Sequence, residues 1–242
     1  MEISGKTALV TGGARRVGRS ICLALAQAGA RVAVHYHSSE GDAQSLASEI
    51  RGAGGQADLF RADLADPAQI EAMFAGIAAS LGRLDMLVNS AGVYHRTPIE
   101  TLTAGQWDAE LNANARSAAL CTRHAVAIMP DGGAIVNLTD IAAERGSPGY
   151  IAYTASKGAV LAMTKSAARA LAGRGIRVNA VAPGVAIWPE GISEERKALV
   201  LAQVPMKRPG TPEDIASAVV FLLRQDYITG QNLRVDGGWH MG

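Results

Sequence analysis

The chain has 242 residues, enough for one large α/β domain or two small ones. Its formal net charge of +1 excludes a bulk electrostatic attraction to nucleic acid or to an anionic membrane. Hydrophobic residues make up 48% and aromatic residues 5%, which is typical of helices packed closely on a sheet. Because no apolar run reaches the roughly 18 residues of a membrane span and no signal peptide is present, we expect a cytoplasmic protein.

Short apolar runs alternate with longer amphipathic stretches along the whole chain. The predicted strands span 7–11, 31–36, 57–62, 84–89, 133–138, 176–181 and 232–236. The predicted helices span 16–28, 41–52, 67–80, 104–129, 152–172 and 212–224. Continuously apolar strands are typical of a sheet covered on both faces. The alternation therefore predicts one doubly wound Rossmann domain over residues 1–242, an α/β fold with about seven parallel strands and helices on both faces.

A glycine-rich turn, TGGARRVGRS at residues 11–20, joins the first predicted strand to the first helix. Such a turn lets backbone N–H groups and the helix N-terminus meet a pyrophosphate. A tight strand–helix connection is the alternative interpretation. The position of the turn at the start of an alternating chain favours nucleotide binding.

The second predicted strand ends in HYHSS and lacks the acidic residue that accepts hydrogen bonds from the adenosine ribose in NAD-binding folds. Arg15 and Arg16 lie in the facing loop, where they can donate to a 2′-phosphate. Ser38 or Ser39 can add a hydroxyl donor, and His37 a third type of donor. The alternative is that these are solvated loop residues. The pattern predicts NADPH as the cofactor, and no metal is expected.

Tyr153 and Lys157 are four residues apart in a predicted helix, so they share one face. A lysine ammonium near a phenol lowers the pKa of the phenol towards working pH. The same spacing is common on protein surfaces, so the pair predicts catalysis only within a suitable framework.

That framework is the resemblance of the chain to the short-chain dehydrogenase/reductase family. The resemblance rests on TGGARRVG, NSAG, YTASK, VNAVAPG and ITGQNLRVDGG, and it covers essentially the whole chain. It implies that Tyr153 transfers the proton that accompanies hydride transfer, that Lys157 holds the nicotinamide ribose, and that Asn114 belongs to the same site. Arg16 stands where the family usually has glycine. The residues indicated for cofactor binding are Gly12, Arg15, Arg16, Val17, Gly18, His35, Tyr36, His37, Ser38, Ser39, Asp63, Leu64, Asn89, Ala91, Gly92, Tyr153, Lys157, Pro183, Gly184 and Val185.

Asp140 occupies the position at which the family has its serine, thirteen residues before Tyr153. One interpretation is that Asp140 caps a loop and that Thr139 replaces the serine. The other is that a carboxyl group faces the substrate, where it pairs with ring N–H groups or donates a proton when burial raises its pKa. The second interpretation suits a nitrogen heterocycle.

Asp140 with Tyr153 and Lys157, together with HYHSS and APGVAIWPE, resembles the NADPH-dependent pteridine reductases of the short bacterial type. This resemblance implies a small pterin- or folate-like substrate, in particular a dihydropterin ring. It also implies that Tyr94 stacks on the pterin, although a loop aromatic on the core is the alternative. Trp188 is a candidate pocket wall or a loop-packing residue. The alternative function is a broader NADPH-dependent carbonyl reductase, such as a 3-oxoacyl-thioester reductase, which normally uses the serine.

The long predicted helices 104–129 and 152–172 are rich in Ala and Leu, with small residues suited to contacts between subunits. The family resemblance also implies that these two helices form the contacts between subunits. We therefore expect a homotetramer.

Overall fold

The computed structural model describes residues 1–188 and 191–241. The last two residues of the APGVAIWPE motif, and Gly242, therefore lie outside the described residues. A seven-stranded parallel sheet has the order β3-β2-β1-β4-β5-β6-β7. Its strands are β1 Thr7–Thr11, β2 Arg31–Tyr36, β3 Gln56–Arg61, β4 Met86–Asn89, β5 Ala134–Leu138, β6 Arg177–Pro183 and β7 Asn232–Val235.

The helices lie on both faces of this sheet. They are α1 Arg16–Gln27, α2 Glu40–Gly52, α3 Pro67–Leu81, α4 Ala104–Glu110, α5 Ser117–Ile128, α6 Ala142–Arg145, α7 Ile151–Leu171, α8 Glu194–Gln203 and α9 Pro212–Arg224. One apolar core lies beneath α1, α2 and α9, and a second lies beneath α3, α5 and α7. The predicted doubly wound α/β fold is confirmed.

Helix starts follow local sequence chemistry. Asp66 caps α3 by accepting a hydrogen bond from the Ala68 N–H, and proline occupies the first turn. Thr211 caps α9 by accepting from the Asp214 N–H, and the Asp214 side chain accepts in return from the Thr211 N–H. These contacts satisfy N–H groups that have no partner within the helix.

The prediction of one continuous α-helix over residues 104–129 is wrong. It comprises α4, a π-helical segment Leu111–Arg116, and α5. The π-helical segment continues directly from α4 into α5, so the sequence reads as one continuous helix. Segments of this kind occur frequently at functional sites.

The order of the strands reverses at β1, which pairs with β2 on one side and β4 on the other. The connection after β1 leads to β2, and the connection after β4 leads to β5, in the opposite direction along the sheet. This divergence opens a crevice at the carboxyl ends of β1 and β4. Ligands of open α/β sheets bind in such a crevice. Thr11 and Asn89 stand side by side in register at that edge.

Cys22 and Cys121 are buried free thiols. Burial raises the pKa of the Cys121 thiol to about 12, so the group stays protonated and unreactive. Within the described parts of the chain, no helix combines the length and the apolar character that crossing a bilayer requires.

We predict that the protein is a homotetramer in solution. The sequences of α4, α5 and α7 offer small and aliphatic residues for contacts between helices of neighbouring subunits. Light scattering at micromolar concentration is expected to give the mass of four chains. The mass of a single chain would contradict this expectation.

Candidate active site

The glycine-rich turn brings the backbone of α1 close to β4. An added Cβ at Gly12, where φ is +64°, would lie 2.9 Å from the Ala91 Cα atom. At Gly18 it would lie 2.2 Å from the Gly12 carbonyl oxygen. No side chain fits at either position, so the N–H groups at the start of α1 remain accessible from the crevice. The cradle therefore fits a pyrophosphate at a helix N-terminus.

His35 has a structural part in this turn. Its Nδ1 atom accepts a hydrogen bond from the Gly12 N–H at 2.9 Å, and its Nε2 atom lies 3.0 Å from the Ala62 carbonyl oxygen. Burial lowers the pKa of His35 to about 4, so the ring is neutral. Both ring nitrogen atoms thus have partners within the chain, so His35 would support the cofactor site by fixing the glycine-rich turn.

The remaining predicted phosphate ligands surround the open end of this turn. The side chains of Arg16, His37 and Ser38 are exposed, and Ser39 is half-buried at the start of α2. The Ser39 hydroxyl makes no capping hydrogen bond to α2, so it is available to a ligand. The Arg15 guanidinium is exposed and lies 3.8 Å from the Asp42 carboxylate.

Arg16 adopts a φ of +53°, a left-handed conformation that favours glycine. This conformation explains why the related pattern has glycine here. A non-glycine residue in this region costs roughly 1 kcal/mol or more, and such residues concentrate at binding sites. Retention of arginine at this strained position agrees with a function for its guanidinium.

The end of β4 forms the floor of the crevice. The Thr11 hydroxyl accepts hydrogen bonds from the Ser90 and Ala91 N–H groups at 3.0 and 3.1 Å. The Asn89 side chain is buried, and its Nδ2 atom donates to the side-chain Oδ1 atom of Asn137 at 2.8 Å. These contacts tie together the ends of β1, β4 and β5 and so hold Ala91 in place against the glycine-rich turn.

The other predicted cofactor residues also lie around the crevice. Gly184 follows β6, and its N–H donates to the Val235 carbonyl oxygen at 3.0 Å. An added Cβ at Gly184 would meet the Asp236 Cα atom at 2.8 Å, so this turn also requires glycine. The remaining members are partly or fully buried at strand ends or at the start of α1: Val17, Tyr36, Asp63, Leu64, Pro183 and Val185.

Asn114 lies in the π-helical segment and fixes the loop that follows β4. Its Oδ1 atom accepts from the Val93 N–H at 2.8 Å, and its Nδ2 atom donates to the Val93 carbonyl oxygen at 3.1 Å. An added Cβ at Gly92 would lie 2.8 Å from the Asn114 Oδ1 atom. The loop and the asparagine are thus in direct contact.

Sequence reasoning missed the buried Glu110. Its Oε2 atom accepts from Asn114 Nδ2 at 2.9 Å, and its Oε1 atom accepts from the His95 N–H at 2.9 Å. Oε1 also lies 2.8 Å from the His95 ring nitrogen Nδ1. The signal was the spacing of four residues between Glu110 and Asn114 in a predicted helix, which places both on one face.

Tyr153 and Asp140 meet directly. The Tyr153 hydroxyl donates to the Asp140 Oδ2 atom at 2.8 Å, and the Asp140 Oδ1 atom accepts from the Ala142 N–H at 2.7 Å. Burial raises the pKa of Asp140, although the hydrogen bonds and the Lys157 charge oppose the shift. Asp140 caps the loop with one oxygen and contacts the Tyr153 hydroxyl with the other, so the capping contact leaves one carboxyl oxygen within the site.

Thr139 is not a substitute for the family serine. Its hydroxyl is buried and donates to the Val181 carbonyl oxygen at 3.0 Å, and it lies 2.8 Å from the Asn232 side-chain oxygen. Both contacts hold it within the sheet, away from Tyr153. Asp140 therefore provides the polar group at the serine position.

Lys157 is buried, and its ammonium donates to the Leu138 carbonyl oxygen at 2.8 Å. It lies 5.7 Å from the centroid of the Tyr153 ring. The expectation that Lys157 brings the Tyr153 pKa down to working pH is not met. Burial and the adjacent Asp140 carboxyl raise the pKa of Tyr153, so its hydroxyl keeps its proton.

Burial lowers the pKa of Lys157 from 10.5 to about 8, although Asp140 and Glu110 oppose the shift. Between pH 8 and about 10.5, the unfolded chain binds more protons at this group than the folded chain, so stability rises with pH in this window. We predict that the unfolding free energy of the cofactor-free protein, minus that of Lys157→Met, increases from pH 8 to about pH 10. Urea unfolding at each pH measures the difference, and a constant difference would contradict the lowered pKa.

Tyr94 lies beside the reacting hydroxyl. Its ring is stacked on Tyr150, with centroids 4.1 Å apart, and forms a T-shaped contact with the Tyr153 ring, with centroids 4.6 Å apart. Tyr94 is 47% exposed, so it is not a core residue. Tyr150 was missed by the sequence analysis. Trp188 is half-buried in the segment before residues 189–190.

Three comparisons place this geometry among known proteins. Residues 12–240 match a family model described as enoyl-(acyl carrier protein) reductase. The chain is 40% identical to 3-oxoacyl-[acyl-carrier-protein] reductase FabG of Staphylococcus aureus over 98% of each chain.

Solved structures agree in fold. A short-chain dehydrogenase/reductase from Serratia marcescens has a TM-score of 0.95 and 35% identity, covering 99% of this chain and 100% of that one. A blue fluorescent protein from a metagenomic library, solved in complex with NADPH, has a TM-score of 0.93 and 37% identity over 99% of both chains. The glycine-rich turn, the Tyr153–Lys157 pair and full-length similarity lead to one conclusion: the chain belongs to the short-chain dehydrogenase/reductase family.

Proposed function

We propose that this protein is an NADPH-dependent reductase that acts on the carbonyl group of a 3-oxoacyl thioester. The observation that carries this proposal is the full-length similarity to 3-oxoacyl-[acyl-carrier-protein] reductase, at 40% identity. The comparisons thus favour the carbonyl reductase alternative of the sequence analysis over the pteridine reductase interpretation. The buried Tyr153 hydroxyl at the mouth of the cofactor crevice supports reductive chemistry.

NADPH is supported by the exposed arginines at the start of α1 and by the Ser39 hydroxyl, which is free of a capping contact. It is also supported by the related structure solved with NADPH. When bound, NADPH supplies the hydride. The glycine cradle would hold its pyrophosphate, Arg15 and Arg16 its 2′-phosphate, and Lys157 its nicotinamide ribose.

The chain itself supplies the proton and stabilises the negative charge that its transfer leaves behind. The Tyr153 hydroxyl donates to the developing oxyanion of the substrate, and the Lys157 ammonium stabilises the phenolate that remains. The Asp140 carboxyl accepts a hydrogen bond from the Tyr153 hydroxyl at 2.8 Å and so orients that hydroxyl in the site. Asn114 and Glu110 fix the loop that carries Tyr94, which contacts the edge of the Tyr153 ring.

A second candidate function is the reduction of a dihydropterin ring, and Asp140 favours it. A carboxyl group at the serine position can pair with ring N–H or amino groups through two oxygen atoms, whereas a hydroxyl offers one oxygen atom. Tyr94 offers a flat, half-exposed ring next to the reacting hydroxyl. These two features retain the pteridine interpretation as an alternative.

A substrate panel tests the proposal. NADPH oxidation is measured with acetoacetyl thioesters, simple activated ketones and dihydropterins, and we expect the thioesters to have the highest kcat/KM. Turnover of dihydropterins alone would overturn the proposal in favour of the second candidate. Absence of turnover with every compound would indicate a cofactor-binding protein without catalysis.

A further inference from the structure

An open cleft of about 540 Å³ lies at the outer edge of the site, beyond Tyr94 as seen from Tyr153. Its lining residues are Arg96, Ser147, Pro148, Gly149, Tyr150 and Arg196. Arg96 comes from the loop after β4, and Arg196 comes from the first turn of α8. Two guanidinium groups from distant parts of the chain therefore meet in one cleft that the proposed function has not used.

Neither guanidinium is neutralised within the described residues 1–188 and 191–241. Arg31, Arg174 and Arg234 each form an ion pair with a carboxylate, whereas Arg96 and Arg196 form none in those ranges. Their side chains are exposed and so can turn towards a ligand. Guanidinium groups bind carboxylates and phosphates through paired hydrogen bonds.

The backbone adds to the positive potential of the cleft. Residues 147–150 lead directly into α7, a helix of 21 residues whose N-terminus carries a partial positive charge. The N–H groups of Ile151 and Ala152 are already bonded to Thr97, so direct contacts with an anion fall to the two arginines. The helix contributes through its field.

Two aromatic rings connect this cleft to the reacting hydroxyl. Tyr150 lines the cleft and stacks on Tyr94 at 4.1 Å, and Tyr94 contacts the edge of Tyr153 at 4.6 Å. Arg196 lines the same cleft as Tyr150, so its guanidinium lies at the outer end of this row of rings. A substrate chain that starts at Tyr153 can follow these rings outward.

We propose that the Arg96–Arg196 cleft binds an anionic group, a carboxylate or a phosphate, on the part of the substrate distant from the reacting carbonyl. The inference rests on the proposed function, because it assigns the cleft to the same substrate. It adds that the substrate is an acid or a phosphate ester, and that Arg96 and Arg196 determine this preference.

Two pairs of acetoacetyl thioesters test the cleft. The N-acetylcysteine and N-acetylcysteamine thioesters differ by one carboxylate, and the 4′-phosphopantetheine and pantetheine thioesters differ by one phosphate. For the unmodified protein, we expect kcat/KM to favour the anionic member of at least one pair by about tenfold, the scale of a hydrogen bond to a charged group. The pair that shows the larger ratio identifies the anion.

The variant Arg96→Gln/Arg196→Gln is expected to bring that ratio close to one. Arg224→Gln, an exposed arginine at the end of α9, is the matched control and should keep the ratio. A ratio near one in the unmodified protein, or an unchanged ratio in the double variant with a native circular dichroism spectrum, would overturn the assignment of the cleft.

Calorimetric titration with the 4′-phosphopantetheine and N-acetylcysteine thioesters separates this inference from the proposed function. Binding that is lost in the double variant, without turnover of any thioester, would support the anion cleft and refute thioester reduction. Turnover of the neutral thioesters, with equal binding of anionic and neutral members, would support the reductase and refute the cleft.

Discussion

Asp140→Ser is expected to leave the reduction of 3-oxoacyl thioesters intact or to raise it, and to lower any dihydropterin reduction by roughly 100-fold. The substitution restores a hydroxyl that polarises a carbonyl oxygen, so ketone chemistry keeps its donor. It removes the carboxyl that would pair with ring nitrogen groups, and it removes the partner of the Tyr153 hydroxyl at 2.8 Å. Steady-state kcat/KM for both substrate classes measures the effect.

Asp140→Asn is the matched control for this substitution. The amide keeps the shape of the carboxyl and can still accept from the Ala142 N–H, but it cannot be an acid. If proton donation matters, Asp140→Asn should impair turnover while NADPH binding stays unchanged. Equal dihydropterin reduction by Asp140→Ser and the parent protein would show that the carboxylate only caps the loop.

Arg16→Ala is expected to weaken NADPH binding at least tenfold, about 1.4 kcal/mol, with little effect on NADH. Only NADPH carries the 2′-phosphate with which the guanidinium can form charge-assisted hydrogen bonds. The unmodified protein should prefer NADPH over NADH by at least about tenfold for the same reason. Titration of both cofactors, followed by kcat/KM for each, measures the preference.

Arg16→Gly separates the side chain from the backbone. Glycine relieves the φ of +53°, whereas alanine retains the strain. Both variants should lose the NADPH preference to the same degree, while only Arg16→Gly should gain stability, by roughly 1 kcal/mol. Equal kinetics with NADPH and NADH in the unmodified protein would refute the assignment of Arg15 and Arg16 to the phosphate.

The order of strands and helices could be predicted from the sequence because their signals are local. Continuous apolar runs predicted the seven strands to within about two residues at most ends, and the structure places Pro67 and Pro212 at the first positions of α3 and α9, where proline is favoured. The glycine-rich turn was also predictable, since close backbone approach at Gly12 and Gly18 excludes a side chain. The family followed from the motifs, and the full-length comparisons show it.

The partners of individual polar groups were decided by the tertiary structure. His35 and Thr139 were candidates for the site from their positions in the sequence, but sheet and turn contacts occupy their polar atoms. Glu110 lies four residues before Asn114, but only the structure shows that its carboxylate is buried and that it also accepts a hydrogen bond from the His95 N–H. Such pairings depend on which side chains from distant segments share a buried space, and neither periodicity nor spacing contains that information.

The electrostatics of the site also depended on the fold. From the sequence, Lys157 alone was expected to lower the Tyr153 pKa, whereas burial and Asp140 raise it. Desolvation acts on every buried charge and depends on depth, which a sequence does not record. The meeting of Arg96 and Arg196 in one cleft, one hundred positions apart in the chain, arises in the same way, from loop and helix ends that only the folded sheet brings together.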